Sequence, residues 1–224
     1  MRKLILNLSI FSLVLTLWSC KKDEPAASTA KLLVTHASPD APGVDLLVDN
    51  VKQNTTGALT FPNSTAYITL NSGARGIKVN AAGTATSVIN ATLNFEKDKN
   101  YSLFAVDSLS KISTVFLTDD LSAPATGKAH VRFVHLSPNA PAVDIAVRGG
   151  AVVFANTTFK GSKPFTPLDA GTYNLDVRVA GTSTVALELP AITLEAGKIY
   201  TVFARGFLGG AGTSALNASV IKNN

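Results

Sequence analysis

The sequence predicts an all-β protein made of two tandem antiparallel β-sandwiches. Three observations predict it. Val, Ile, Thr, Tyr and Phe alternate with polar residues, and Gly, Pro, Asn and Asp interrupt them about every eight to twelve positions. Beyond residue 30 no stretch holds a helical period through three turns. The chain also repeats itself in order: KLLVTHASPDAPGVDLLVDN (31–50) aligns with HVRFVHLSPNAPAVDIAVRG (130–149), YITLNSGARGIKVNAAGTAT (67–86) with FTPLDAGTYNLDVRVAGTST (165–184), and LNFEKDKNYSLFAVD (93–107) with ITLEAGKIYTVFARG (192–206). Each copy is roughly 95 residues, too long for a solenoid unit and suited to a sandwich of seven or eight strands.

The N-terminal segment is read apart from the fold. Arg2 and Lys3 precede an apolar run over residues 4–18, too short to span a bilayer comfortably. It ends in LWSC (17–20), which resembles a bacterial lipobox: an aliphatic residue three before the cysteine, a small residue before it, then Cys20, the single cysteine of the chain. That resemblance implies a signal peptide over 1–19, lipidation of Cys20, and a tether over 20–30. With Cys20 acylated, no thiol is left for a disulfide, a nucleophile or a metal site. Two or three acyl chains anchor firmly, each buried methylene contributing about 0.8 kcal/mol. Lys21 stands where an Asp would resemble an inner-membrane retention signal, and KKDEP (21–25) resembles the export signal of surface lipoproteins in Bacteroidota. The expected address is therefore an outer-membrane lipoprotein, on the periplasmic face or at the cell surface, with the membrane as a partner through the anchor.

Loss of residues 1–19 removes Arg2 and Lys3 and lowers the formal charge from +5 to +3. The remaining positive residues are scattered, with no basic run beyond Lys21-Lys22, so nucleic acid is not an expected partner.

Within the repeats, the first copy is expected over 31–121 and the second over 129–224, with SAPATGK (122–128) as linker. Leu32, Val34 and His36 share one strand face; Val131, Phe133 and His135 do the same, with Arg132 opposite. A proline-bearing corner follows. Val44, Leu46 and Val48 then alternate with Asp45 and Asp49, and Val143, Ile145 and Val147 with Asp144 and Arg148. Tyr101 and Tyr200 each follow a tight turn, where a Tyr can bury its ring and hydrogen-bond back across the corner.

The pattern HxSPxAPxVD, followed by LxxGxxxxxV and YxxFA, resembles a bacterial secreted family, the domain of unknown function 4397, whose members often carry the domain in tandem behind a signal peptide. The resemblance covers nearly all of the chain after the leader and implies a fold and an address but no catalytic residues. LDAGTYNLDV (168–177) also resembles transthyretin-like and immunoglobulin-like surface sandwiches; the first copy departs there, with Arg75 where the second has Tyr173.

The repeated string poses the chemical question. His36, Ser38 and Asp45 are the residue types of a nucleophilic triad, but Ser38 precedes Pro39, which biases it to extended backbone, and no nucleophile elbow accompanies it. As metal ligands, His36, Asp40 and Asp45 are too few, and the second copy has Asn139 for Asp40 and Arg148 for Asp49. No catalytic residue, metal or cofactor is expected. The favoured reading is a structural corner: His36, Ser38, Pro39, Pro42 and Asp45, with His135, Ser137, Pro138, Pro141 and Asp144, tie the link between the first two strands of each copy. Asp107-Ser108-Leu109 matches a short O-glycosylation motif of Bacteroidota, making Ser108 a candidate modification site. The loops 49–64, 148–164 and 207–215 are the expected recognition elements, and GFLGGAGTSA (206–215) reads as flexible. The function expected is a lipid-anchored, non-enzymatic binding or adhesion module for a glycan or another envelope protein. The alternatives are a scaffold accessory for polysaccharide or secretion machinery and, third, a hydrolase using the His-Ser-Asp corner.

Overall fold

The computed structural model describes residues 27–224, and they are almost entirely β. Eight strands come from the first half: β1 (Thr29–His36), β2 (Val44–Val48), β3 (Val51–Lys52), β4 (Ile68–Asn71), β5 (Gly73–Ala81), β6 (Ser87–Phe95), β7 (Asn100–Val106) and β8 (Ser113–Asp119). They form two facing sheets, ordered β4-β1-β7-β8 and β3-β2-β5-β6. The second half repeats this with β9 (Lys128–His135), β10 (Val143–Val147), β11 (Val152–Thr157), β12 (Thr166–Asp169), β13 (Gly171–Tyr173), β14 (Leu175–Val179), β15 (Val185–Glu188), β16 (Ile192–Leu194), β17 (Ile199–Arg205) and β18 (Asn217–Lys222). Its sheets run β12-β9-β17-β18 and β11-β10-β14-β15, with β13 pairing β16 beside them. In each otherwise antiparallel half one pair is parallel: β1 with β7, and β9 with β17.

The period-2 pattern fills each sandwich as the sequence predicts. Leu32 and Val34, with Leu103 beside them on the same sheet, face Leu46, Ile77 and Val79 in the first core. Val131 and Phe133, with Val202 beside them on the same sheet, pack against Ile145, Val177 and Leu194 in the second. Burial of this kind contributes roughly 25 cal/mol per Å² of apolar surface. The two tyrosines close their corners: Tyr101 Oη accepts the Glu96 N–H at 3.0 Å, and Tyr200 Oη accepts the Glu195 N–H at 3.1 Å.

The halves are not beads on a string. A third core joins them, containing Ala37, Phe104, Val106, Val115, Val134, Leu136 and Phe203. It lies between the sheet carrying β1 and β7 and the sheet carrying β9 and β17, so the molecule stacks four sheets. Strands β7 and β17 are consequently buried along nearly their whole length, as expected of strands covered on both faces. Phe104 and Phe203, equivalent positions in the two halves, meet at 5.9 Å between ring centroids. Ser102 and Thr201, also equivalent, both reach the same guanidinium of Arg132. Like residues therefore meet like along the interface, as about a pseudo-twofold axis parallel to the strands. Both corners then lie at one end of the molecule, and residue 27, the 119–128 connection and the C-terminus lie at the other.

Candidate functional site

Each proline-bearing corner sits between the last residue of one sheet and the first of the facing sheet. His36 and His135 are wholly buried. His36 Nε2 lies 2.9 Å from the Pro42 carbonyl and His135 Nε2 2.9 Å from the Pro141 carbonyl. A carbonyl only accepts, so in both rings Nε2 carries the proton. Each ring is edge-on to a phenylalanine, Phe61 and Phe159 respectively. Burial holds both imidazoles below the usual His value. Pro39 and Pro42, and likewise Pro138 and Pro141, fix φ in the chain that leads into the carbonyl each ring engages.

The sequence assigns the Ser and Asp of the string to the same strand-to-strand link; the structure sends them elsewhere. Ser38 Oγ donates to the Asp107 carbonyl at 2.6 Å, and Ser137 Oγ to the Gly206 carbonyl at 2.6 Å. These bonds clamp the corner to the end of β7 or β17. Asp45 and Asp144 point away from the His. Asp45 Oδ2 accepts the Gly83 N–H at 3.0 Å while Oδ1 meets Lys52 Nζ at 2.8 Å. Asp144 accepts the Asn156 and Gly181 N–H groups at 2.6 and 2.9 Å. Lys52, followed by the Gly83 N–H, holds the Asp45 carboxyl below its usual value. Asp45 thus pins the turn between β5 and β6, and Asp144 the turn between β14 and β15. The triad residue types are present, but no proton path links them: the Ser proton goes to one backbone carbonyl and the His proton to another.

Asp40, which the second copy replaces by Asn139, also has a definite task. Asp40 Oδ1 accepts the Leu109 N–H at 2.8 Å. Asn139 accepts the Leu208 N–H at 2.8 Å and donates to the Leu208 carbonyl at 2.9 Å. The exchange of carboxylate for amide preserves the loop clamp, which needs an acceptor and no charge. Among the described residues no cluster of three or more His, Cys, Asp or Glu is gathered.

The Gly-rich segment 206–215 is expected from its composition to be flexible. It is a closed, stapled turn instead. Phe207 N–H donates to Ser214 O at 2.7 Å and Leu216 N–H to Phe207 O at 2.8 Å. A Cβ on Gly206, where φ is +81°, would stand 2.2 Å from the Ala215 oxygen. Gly206 and Gly210 serve close approach, whereas Gly209 and Gly212 supply positive φ in open space. Ser108 opens a short 3-10 turn, Leu109–Lys111; its N–H donates to Asp107 Oδ1 at 2.9 Å, and its hydroxyl is 3.4 Å from Ser110 Oγ. Cys20 lies outside the described residues.

Sequence reasoning missed two features. The first is Arg132, placed opposite the apolar face and found 3% exposed. Nη1 meets Asp119 Oδ1 at 2.6 Å, Nη2 donates to Ser102 Oγ and Nε to Thr201 Oγ1, both at 2.8 Å, and the guanidinium stacks 4.6 Å from the Phe165 ring centre. Ser102 and Tyr67 hydroxyls both donate to Asp119 Oδ2. Asn223 joins Tyr67 Oη at 3.0 Å to Thr201 Oγ1 at 2.8 Å. Burial, then the adjoining Asp119 charge, pushes the Tyr67 hydroxyl above its usual value. At the corner end Lys160 Nζ approaches Asp107 Oδ2 at 3.4 Å, and Arg205 lies over Phe61. The near-continuous apolar runs YSLFAV (101–106) and IYTVFA (199–204) are the sequence signal that could have revealed a second buried face.

The second is Asn54. Its amide replaces a strand: Oδ1 accepts the Leu46 N–H at 2.8 Å, and Nδ2 donates to the Val44 and Gly57 carbonyls at 3.0 and 2.8 Å. In the second half the same place is taken by the strand β11, which pairs with β10 through two register shifts and sets Ile145 opposite Phe154.

Among known proteins, the family model described as Domain of unknown function (DUF4397) matches residues 30–146 and 147–224. The second match begins at the end of β10, so the two segments do not coincide with the two sandwiches. No curated protein matches the chain. Among solved structures the chain is similar to the Bacillus anthracis TIE protein, at 17% identity and a TM-score of 0.25 over 80% of this chain, and it spans only 34% of that protein's length. It is also similar to CBMbc (family CBM26) from Eubacterium rectale Amy13K in complex with maltoheptaose, at 12% identity and a TM-score of 0.26, covering 87% of this chain and 97% of that one. At these scores neither likeness fixes a ligand for this chain.

Proposed function

This chain belongs to the family described as Domain of unknown function (DUF4397), and we propose that it is a non-catalytic binding module of the cell envelope, held to a membrane by lipid on Cys20. One observation carries the reading. In both halves the His and Ser of the repeated string are wholly buried and engage backbone carbonyls. Such side chains build a scaffold and leave recognition to the loops in which the copies differ. The lipobox-like residues 17–20 support the anchor. The geometry supports an orientation: β1 starts two residues past residue 27 and runs roughly 25 Å, at about 3.3 Å per residue, to the corner at His36. An anchor at residue 20 then holds the opposite end near the lipid and displays the corner end outward. The shared third core and the Arg132–Asp119 pair support a single rigid body. The partners proposed are a glycan or another envelope protein.

The test is fractionation and protease shaving of intact cells. The wild-type protein is expected in the outer-membrane fraction and cleavable from outside; Cys20→Ala is expected in the soluble fraction. Protection from external protease favours the periplasmic scaffold. A Cys20→Ala protein that stays membrane-bound overturns the anchor.

A further inference from the structure

The two halves are internal controls for each other, and they differ between the second and fourth strands of each copy. In the second half that stretch is β11, paired with β10 and closed by Phe154, which stacks on Phe133 in the core. In the first half, β3 is only two residues long and the chain from 53 to 58 is hung from the Asn54 side chain. A groove of about 410 Å³ opens between this loop and the segment 64–68. That volume lies within the roughly 300–1,000 Å³ range of ligand sites.

Both walls are pre-formed. The loop wall is fixed by the three Asn54 hydrogen bonds. The opposite wall is stitched to β1: Thr65 N–H donates to Val34 O at 2.8 Å, Val34 N–H to Thr65 Oγ1 at 3.0 Å, and Ser64 Oγ meets Thr35 Oγ1 at 2.8 Å. Fixed walls lower the ordering cost of binding.

The chemistry of the lining selects the ligand class. The groove has no charged side chain: Thr55, Thr56 and Gln53 offer it hydroxyl and amide groups, beside the wall-forming Asn54, Ser64 and Thr65 and an apolar floor that includes Leu59 and Ile68. Amides and hydroxyls both donate and accept, which matches a ligand whose groups also do both. An anion would call for Arg or Lys, and a cation for carboxylates. A second hollow of about 280 Å³ shares Gln53 and has the Asp49–Arg75 ion pair in its lining, so a chain-like ligand leaving the groove at Gln53 would enter it.

We infer that this groove of the first half binds a segment of a neutral, polyhydroxylated chain, a glycan, and that the second half has no such site. The inference rests on the binding-module reading. The experiment is calorimetric titration of the purified full chain with a panel of short neutral linear oligosaccharides and a sulfated counterpart. Three variants accompany it: Gln53→Ala with Thr56→Ala to remove hydrogen-bonding groups, Ala66→Trp to fill the groove from its exposed wall, and Ser183→Ala on a second-half turn as control. Neutral-sugar binding weakened about tenfold or more by the first two variants and unchanged by the third supports the site. Binding only of the sulfated sugar, binding unaffected by Ala66→Trp, or no binding of any sugar overturns it. In that last case, capture of an envelope partner by crosslinking at the corner end would leave the binding-module reading standing while the groove assignment falls.

Discussion

Replacing Arg132 by Leu puts at this position the residue that its equivalent in the first half, Leu33, already has. It also removes the guanidinium that pairs with the buried Asp119 carboxylate. Asp119 keeps two hydroxyl donors, Tyr67 and Ser102, but loses the guanidinium at 2.6 Å. The reverse substitution, Asp119→Asn, matches the other equivalent, Asn223, and leaves Arg132 charged and 3% exposed with neutral acceptors only. Breaking one side of a buried pair costs about 3–5 kcal/mol, whereas replacing both sides is often close to neutral. Each single variant should therefore lose that amount, a fall in Tm of roughly 6–20 °C at about 2–4 °C per kcal/mol for a chain of this size. The double variant should recover most of it. The one tryptophan, Trp18, lies outside the described residues, so the transition is best followed by calorimetry or far-UV circular dichroism. A double-mutant cycle gives the coupling directly. Single variants within about 1 kcal/mol of wild type, or losses that simply add in the double variant, would refute the account of Arg132–Asp119 as a buried lock between the halves.

Further outcomes are expected. Stability should fall as pH drops below about 6.5, the ordinary His value: the unfolded chain takes up protons on His36 and His135 there, while the buried rings, held below that value, do not. Urea midpoints from pH 7.5 to 5 should show a shallower fall in His36→Gln/His135→Gln, and an identical slope would count against the buried neutral rings. Gly206→Ala should cost more than about 2 kcal/mol, from left-handed strain plus overlap with the Ala215 oxygen, whereas Gly83→Ala, with nothing within 4 Å, should cost only about 1–2 kcal/mol; equal losses by denaturant titration would contradict the close approach. Tyr101→Phe and Tyr200→Phe should each cost about 1–3 kcal/mol by orphaning the Glu96 or Glu195 N–H, and a neutral result for both would remove the corner role.

The features legible in the sequence were those with short-range signals. Leu32, Val34 and His36 declared the inner face of β1 by period-2 alternation, and the turn before Tyr101 and Tyr200 declared the corners. The sandwich class followed from those signals and the repeat. The interface was hidden because it is made by the other face of the same strands. Arg132 alternates with apolar neighbours as a solvent-facing residue does, and its partners Asp119, Ser102 and Thr201 come from β8, β7 and β17 with no local signature. The Ser and Asp of the string were misassigned for a related reason. Ser38 bonds to Asp107 across 69 residues and Asp45 to Gly83 across 38, distances that spacing within the string cannot show. Asn54 was invisible as a strand substitute because an amide imitating backbone leaves no periodic pattern.

The central claim is that the repeated His-Ser string is architecture and not an active site. Ser38→Ala combined with Ser137→Ala tests it most directly, with denaturant stability and turnover of ester and glycoside substrates measured on the same preparations. The expected result is a stability loss of about 1–3 kcal/mol per site, from leaving the Asp107 and Gly206 carbonyls without their donors, with no change in turnover. Unchanged stability together with abolished hydrolysis would contradict it.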